Sequence, residues 1–354
     1  MRFCRYCDQD CYRFMYCRRI LLVILLFTSG YPALCQNPAK VKWDSAFYFY
    51  QKHDLQKALH YIDKFIELHP VANQGYMAKG EILGGLHRFR ESIEVLTSLL
   101  ARDPNVVDAY QLRGLNYLFI EQYDSSISDL SIVIEHPIWN DSLAYRARAY
   151  SYFKSGKFEK SKVDYDSADR FKPKDAKYFR NRGMNKYALG DRQGAISDMT
   201  KALRVKPHFY EVMQLRAMFY LETKDIAKCL ADCNTLLSHD KNDQVALLLR
   251  GQCHMAQKNH KLAVKDFNTC SDLDPTMKDL WLYRGVANYY LAQDKEAIVD
   301  LTKALQTSPD DPVIYYMLGA CKNNLQPGTG CDDLRKSIKL GNPDAARMIK
   351  DECK

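Results

Sequence analysis

Tyr178–Pro207 reads YFRNRGMNKYALGDRQGAISDMTKALRVKP, and Trp281–Pro309 reads WLYRGVANYYLAQDKEAIVDLTKALQTSP. Both place an aromatic ahead of Arg-Gly, an Ala twelve residues past the Gly, then Asp, Lys-Ala-Leu and a closing Pro. Stepping outward from Gly183 in units of 34 lands on Ala217, Gly251, Gly285 and Gly319 in one direction. In the other it reaches Ala149, then Gly114 after one step of 35, then Gly80 and Ala46. The extra residue falls at His136–Trp139, where a loop tolerates insertion. A second small residue stands twelve past each of these slots: Ala58, Ser92, Ser126, Ser161, Ala195, Cys229, Ala263, Ala297 and Cys331. Pro closes seven of the nine units, at Pro70, Pro104, Pro173, Pro207, Pro275, Pro309 and Pro343.

Between these marks, apolar residues recur at three and four, the period of an amphipathic helix. Two small residues facing each other let two helices approach closely, and Pro ends the second because it cannot continue the hydrogen-bond ladder. Each unit is therefore predicted to be a pair of antiparallel helices. The pattern resembles the tetratricopeptide repeat family across residues 39 to 343. Nine matches at one period are far more specific than any one. The resemblance implies an all-α fold: an α-solenoid of about nine helix pairs winding into a right-handed superhelix. Residues 36–343 hold the repeats, and 344–354, after NPDAARMIKDECK begins at Asn342, read as a helix that covers the last apolar face.

Composition is that of a globular chain, 47% hydrophobic and 27% charged. Of the net charge of +8, the first 35 residues carry +3, from five Arg against Asp8 and Asp10, which leaves +5 for the rest. No basic run stands out there, so nucleic-acid binding is not expected. Arg18-Arg19, the apolar Ile20–Phe27 and the small residues before Gln36 have the order of a secretory signal peptide over residues 1–35, with Met15 an alternative start. Cleavage after Cys35, or lipidation of Cys35, leaves no integral membrane segment. Cys4, Cys7, Cys11 and Cys17 lack the second paired half of a zinc site and lie in this leader. The chain is thus expected to be exported, periplasmic or extracellular or envelope-associated, of a bacterial type.

Arg stands just before the small slot in repeats three to eight: Arg113, Arg148, Arg182, Arg216, Arg250 and Arg284. In the same six repeats Asp stands three past the second small slot: Asp129, Asp164, Asp198, Asp232, Asp266 and Asp300. Repeats one, two and nine lack the combination. Presence and absence coincide, so each Arg is expected to pair with the Asp of its own repeat, the planar fork matching the carboxylate. An Arg ladder for an acidic partner is the alternative.

Beyond the leader seven Cys remain. Cys229, Cys233, Cys253 and Cys270 read as small buried hydrophobes. Cys321, Cys331 and Cys353 gather at the C-terminal cap, where one disulfide among the three is expected, the pair left open. No catalytic motif, phosphate loop or dinucleotide fingerprint occurs, and no catalytic residue, metal or cofactor is expected.

The family resemblance implies that first-helix residues line a groove. Carried onto this chain these include Leu115, Leu118, Phe119, Arg146, Tyr150, Phe153, Arg180, Met184, Tyr187, Met218, Leu221 and Tyr289, with Lys177 adding charge. Packing against the neighbouring helix is the competing role for each. The residue after the small slot is never Asn, so the carboxylate clamp of one family subtype is absent. The expected function is a non-enzymatic scaffold that binds a protein or peptide in this groove. A constitutive structural subunit of an envelope complex is the alternative, and a glycan or small-ligand binder using the Tyr residues a third.

Overall fold

The structure, a computed structural model, describes residues 37–137, 141–277 and 279–353. The signal peptide expected over residues 1–35, with Cys4, Cys7, Cys11, Cys17 and Cys35, lies outside the described residues. All regular structure among the described residues is helical. The chain divides into two compact units, Met1–Lys174 and Asp175–Lys354.

The first unit holds four helix pairs: α1 (Pro38–Gln51) with α2 (Leu55–Leu68), α3 (Asn73–Gly85) with α4 (Phe89–Arg102), α5 (Val107–Phe119) with α6 (Tyr123–Glu135), and α7 (Ser142–Lys154) with α8 (Phe158–Asp169). The second holds α9 (Ala176–Ala188) with α10 (Arg192–Val205), α11 (Tyr210–Glu222) with α12 (Ile226–His239), and α13 (Gln244–Ala256) with α14 (His260–Leu273). It continues with α15 (Leu280–Tyr290) and α16 (Asp294–Ala304), α17 (Pro312–Leu325) and α18 (Cys331–Lys339), and ends in α19 (Asp344–Glu352). Within a unit each helix packs on the next in the chain. First helices of successive repeats also touch, as α3 with α5, α5 with α7, and α11 with α13. Each unit is a stretch of α-solenoid.

The small slots do what their size allows. Ala58, Ala149, Ala195, Ala217, Cys229, Ala263 and Ala297 are all fully buried at the helix crossings. A Cβ added at Gly251 would run into the ring of Phe267, and one at Gly183 would lie 3.0 Å from Met199 Cε. Starts are set by short acidic caps: Asp54, Asp141, Asp175, Asp191, Asp225, Asp243 and Asp311 each accept a backbone N–H of the first turn.

The closing Pro has a second use. Its carbonyl accepts a hydrogen bond from the aromatic that opens the next repeat: Tyr76 Oη to Pro70 O at 2.9 Å, Trp281 Nε1 to Pro275 O at 3.0 Å, Tyr315 Oη to Pro309 O at 3.1 Å. The repeat's last residue and the next repeat's first large side chain are thereby joined, and the polar tip of each aromatic finds a partner.

The last pair is closed covalently. Cys331 at the start of α18 is bonded to Cys353 just beyond α19, and Cys321 stays a free buried thiol. Asn342 Oδ1 accepts from Asp344 N at 3.1 Å, and Ala345 packs fully buried.

Candidate functional site

Two sets of side chains carry the repeat's chemistry: the Arg–Asp pairs and a stripe along the first helices. In all six repeats the Arg and the Asp sixteen residues on meet as a two-pronged pair. Arg113 Nε and Nη2 donate to the two oxygens of Asp129 at 2.8 and 2.9 Å. Arg148 meets Asp164, Arg216 meets Asp232, Arg250 meets Asp266 and Arg284 meets Asp300 with the same atoms at 2.7–2.8 Å. The innermost pair is Arg182 with Asp198, 7% and 0% exposed, at 2.6–2.7 Å. Burial pushes the Asp198 carboxyl up, but hydrogen bonds and charge from Arg182 and Lys186 outweigh it and hold it below the usual carboxylate range. In repeat two, Lys79 in the Arg slot reaches back to Asp63 of α2 instead, at 2.7 Å.

The pairing was legible in the sequence, but the remaining Arg nitrogen was not. In five of the six, Nη1 of the Arg crosses to the second helix of the preceding repeat, while Arg182 Nη1 lies 3.4 Å from Tyr178 Oη on its own helix. Arg113 donates to Thr97 Oγ1 at 3.0 Å, Arg148 to Ser131 Oγ at 2.9 Å and Arg216 to Thr200 Oγ1 at 3.3 Å. Arg250 reaches Asn234 Oδ1 at 3.1 Å and Arg284 reaches Asn268 Oδ1 at 2.9 Å. Each acceptor stands five residues past the second small slot. That run of Thr, Ser, Thr, Asn and Asn was the signal that could have found it. Each of these five Arg thus binds two helices of its own repeat and one of the previous repeat. These charges are consumed inside the stack and are not an Arg ladder open to a partner.

All the stripe residues but Phe119 and Lys177 occupy three register positions of the first helix: three before the small slot, one after it and four after it, which lie on one helical face; Phe119 stands five after it. The first of these ties successive repeats. Gln111 Nε2 donates to Asp141 Oδ2 at 3.1 Å, Gln214 Nε2 to Asp243 at 2.9 Å, and Arg180 Nη1 to Glu211 Oε1 at 2.6 Å. The positive charge expected of Arg180 is therefore answered by Glu211. Arg146 is half-buried at the same position of its repeat, and Lys177 is half-buried three residues ahead of Arg180.

The other two positions are half-buried and mostly apolar. In the first unit Leu118 packs against the cluster around Leu130 and Val133, and Leu115 is buried within it. Tyr150 and Phe153 lie 6.4 Å apart, and Phe153 lies 5.7 Å from Phe158 of the same repeat. Phe119 stacks face to face on Phe89 of the preceding repeat, 4.8 Å between centroids. In the second unit Met184 and Met218 lie against the largest core cluster, and Leu221 beside Cys229 and Cys253. Tyr187 is stacked on Phe219 at 4.3 Å, donates to Glu222, and carries Arg192 over its ring at 3.9 Å. Burial pushes its phenol up. Tyr289 is half-buried against Ala297 and Leu301, its phenol raised to about 12 by burial first. Phe119 and Tyr187 thus serve inter-repeat packing, while Tyr150, Met184, Met218 and Leu221 keep part of their apolar surface in solvent.

The carboxyl on this stripe also departs far from its usual range. Glu81 takes the position after the small slot in α3, where the other repeats carry Phe, Leu, Tyr, Met, Gln, Val or Ala. Burial pushes its carboxyl up to about 8, and the charge of Asp108 adds to the effect. Among the described residues no group of three His, Cys, Asp or Glu side chains is disposed to hold a metal ion, and no helix is long and apolar enough to cross a membrane.

Stacked helix pairs in one register, with small residues at each crossing and half-buried apolar residues along the first helices, define an α-solenoid of helix-pair repeats. Residues 245–277, α13 and α14 with their turn, match the family model of the tetratricopeptide repeat. The chain is 22% identical over 260 residues to a DnaJ homolog subfamily C member 7 homolog of Dictyostelium discoideum, covering 72% of this chain and 43% of that protein. It is 29% identical over 120 residues to the human mitochondrial import receptor subunit TOM70, covering 32% of this chain and 20% of the receptor. The chain therefore spans less than half the length of these relatives. Among solved structures, the C-terminal part of a TPR repeat-containing protein from Cytophaga hutchinsonii superposes with a TM-score of 0.54 at 19% identity, over 68% of this chain and 99% of that one. The Cut9–Hcn1 hetero-tetramer of the APC/C gives 0.50 at 17% identity, over 84% of this chain and 59% of that one. At these identities the likeness is one of fold.

Proposed function

We propose that this chain is an exported protein-interaction scaffold whose first-helix stripe receives a protein or peptide segment along each unit. The observation that supports this most directly is the division of labour within the repeat. Every Arg–Asp charge pair is turned inward and bound to its own stack, whereas Tyr150 and Phe153 in one unit, and Met184, Met218 and Leu221 in the other, remain half-buried at equivalent positions. Tyr and Met are side chains that interfaces favour, because they offer large apolar area and adaptable contact. The stripe sits on helices held by caps, stacks and cross-repeat hydrogen bonds, so little ordering entropy opposes binding. The relatives bear names that place them in receptors and chaperone systems, which accords with a protein partner. The Cys331–Cys353 bridge accords with an oxidising compartment.

The test is site-specific photo-crosslinking in the native cell. A photoreactive residue is placed at Tyr150 or Met218, and at the exposed Val163 on the second helix of repeat four. One discrete adduct from both stripe positions and none from Val163 is the expected result. An adduct from Val163 alone moves the interface to the second helices and favours the structural-subunit alternative. Fractionation of the same cells checks export, which retention in the cytoplasm would overturn.

A further inference from the structure

The repeats share a joint that neither the family register nor the ion pairs account for. The second small residue of one repeat meets, in the next repeat, the residue two past the small slot. Asn116 Nδ2 donates to Ser92 Oγ at 2.8 Å, joining α4 to α5. Ser151 Oγ donates to Ser126 Oγ at 3.0 Å, joining α6 to α7. All four residues are fully buried, so each joint is a polar pair satisfied across the repeat boundary. In the second unit the same register positions are Cys229 on α12 and Cys253 on α13. Their sulfurs stand 2.8 Å apart, both completely buried, among Ala217, Leu249 and Leu221. Where two joints of the first unit have a hydrogen-bonded pair, the joint between the sixth and seventh repeats has a pair of thiols face to face.

The geometry points to a second disulfide, between Cys229 and Cys253, which makes the joint between the sixth and seventh repeats covalent. Bond formation requires the sulfurs to close by only about 0.8 Å, since a disulfide spans about 2.05 Å. Cys233 is the competitor, 4.0 Å from Cys229 and one turn along the same helix. The sulfurs of one helix turn project side by side, whereas Cys229 and Cys253 approach from two facing helices.

The chemistry is thiol–disulfide exchange. A thiolate of the pair attacks a donor disulfide, breaking the donor S–S bond and releasing one donor thiol. The other Cys then attacks the mixed disulfide, forming Cys229–Cys253 and releasing the second donor thiol. The two Cys give up two electrons and two protons in all, and the donor disulfide takes both. In the folded chain the pair is slow to react, because no surface of either sulfur meets solvent and mutual hydrogen bonding and burial hold the Cys253 thiol protonated. The bond therefore forms while the joint is still open during folding, and once buried it resists reduction.

The experiment refolds the whole denatured, reduced chain in a buffer of reduced and oxidised glutathione, and does not depend on where the chain resides. Tryptic mapping under non-reducing conditions then joins the fragment 229–241, which holds both Cys229 and Cys233, to the fragment 251–258, and tandem mass spectrometry of the joined pair assigns the bonded sulfur. Cys331–Cys353 serves as the internal control for oxidising strength. Wild type and Cys233→Ser are both expected to give the joined fragments, Cys229→Ser to give none, and hydrogen exchange in α12 and α13 to slow relative to protein refolded in dithiothreitol. Free thiols at 229 and 253 in protein whose Cys331–Cys353 bridge is complete would overturn the proposal. So would a bond from Cys233 to either partner in the wild type. The wild-type and Cys233→Ser maps decide the matter even if Cys229→Ser folds poorly.

Discussion

At the scale of the residue, the arginine of repeats three to eight matters most, because one planar side chain can tie its own helix to two others. Arg216 is 17% exposed and Asp232 9%, so the pair sits beneath the surface, where loss of one partner leaves a charge unanswered. Arg216→Leu and Asp232→Leu are each expected to cost about 2–4 kcal/mol, and the double variant less than the sum by about 1–3 kcal/mol. Strict additivity in chemical denaturation would sink the pairing as an energetic unit. Glu81 makes a prediction of opposite kind. Its carboxyl lies above the ordinary value of 4.5, at about 8, so the neutral form is the one the fold accepts. The stability it supports is complete below the unfolded value and is lost as pH rises through the folded one. Between pH about 5 and about 9 the wild type should lose about 1–2 kcal/mol that Glu81→Gln retains. Parallel curves for the two proteins would show that Glu81 is solvated.

At the scale of the element, the turn inside each repeat holds a conflict. The residue seven past the small slot has positive φ in eight repeats, and only Gly156 and Gly190 are glycine there. The others are His53, His87, Glu121, Lys224, Lys258 and Ala292, with φ of 56–61°. A side chain in this region is strained by about 1 kcal/mol, and Ala292 has no polar group that could offset it locally. Ala292→Gly should therefore raise stability by about 0.5–1 kcal/mol. The converse change at a crossing, Gly251→Ala, meets the Phe267 ring and should cost about 1–3 kcal/mol. Thermal melts of the two single variants read both signs, and a stabilising Gly251→Ala would mean that α13 and α14 are free to move apart. These positions explain why turns were less legible than helices. The sequence marks Gly156 and Gly190, whereas His87 or Lys224 carries no mark of the backbone it must adopt.

At the scale of the molecule, each repeat contacts mainly its neighbours, so stability is local and the ends are weakest. The bridge from Cys331 to Cys353 closes a loop of 22 residues around α18 and α19. Its removal should cost about 3 kcal/mol. In Cys331→Ser/Cys353→Ser, hydrogen exchange should quicken in α17, α18 and α19 while α1 to α8 keep their protection. Uniform loss of protection through both units would contradict a chain stabilised by nearest neighbours.

The sequence by itself determined the helix pairs, their register and the partners of six arginines. A period of 34 with small residues twelve apart admits few other packings, and a charge that appears only with its opposite betrays the contact. It also confined the cap disulfide to three cysteines. Tertiary structure alone decided that Cys331 takes Cys353, that the third nitrogen of five of these Arg crosses to the preceding repeat, and that Phe119 and Tyr187 are engaged in stacks. It alone placed Cys229 against Cys253. The reason is common to all of these. The repeat pattern records what one helix pair needs to close on itself, but contacts between repeats depend on the angle at which one pair lies on the next. That angle is set by the packing of many side chains together, and no single position in the sequence spells it.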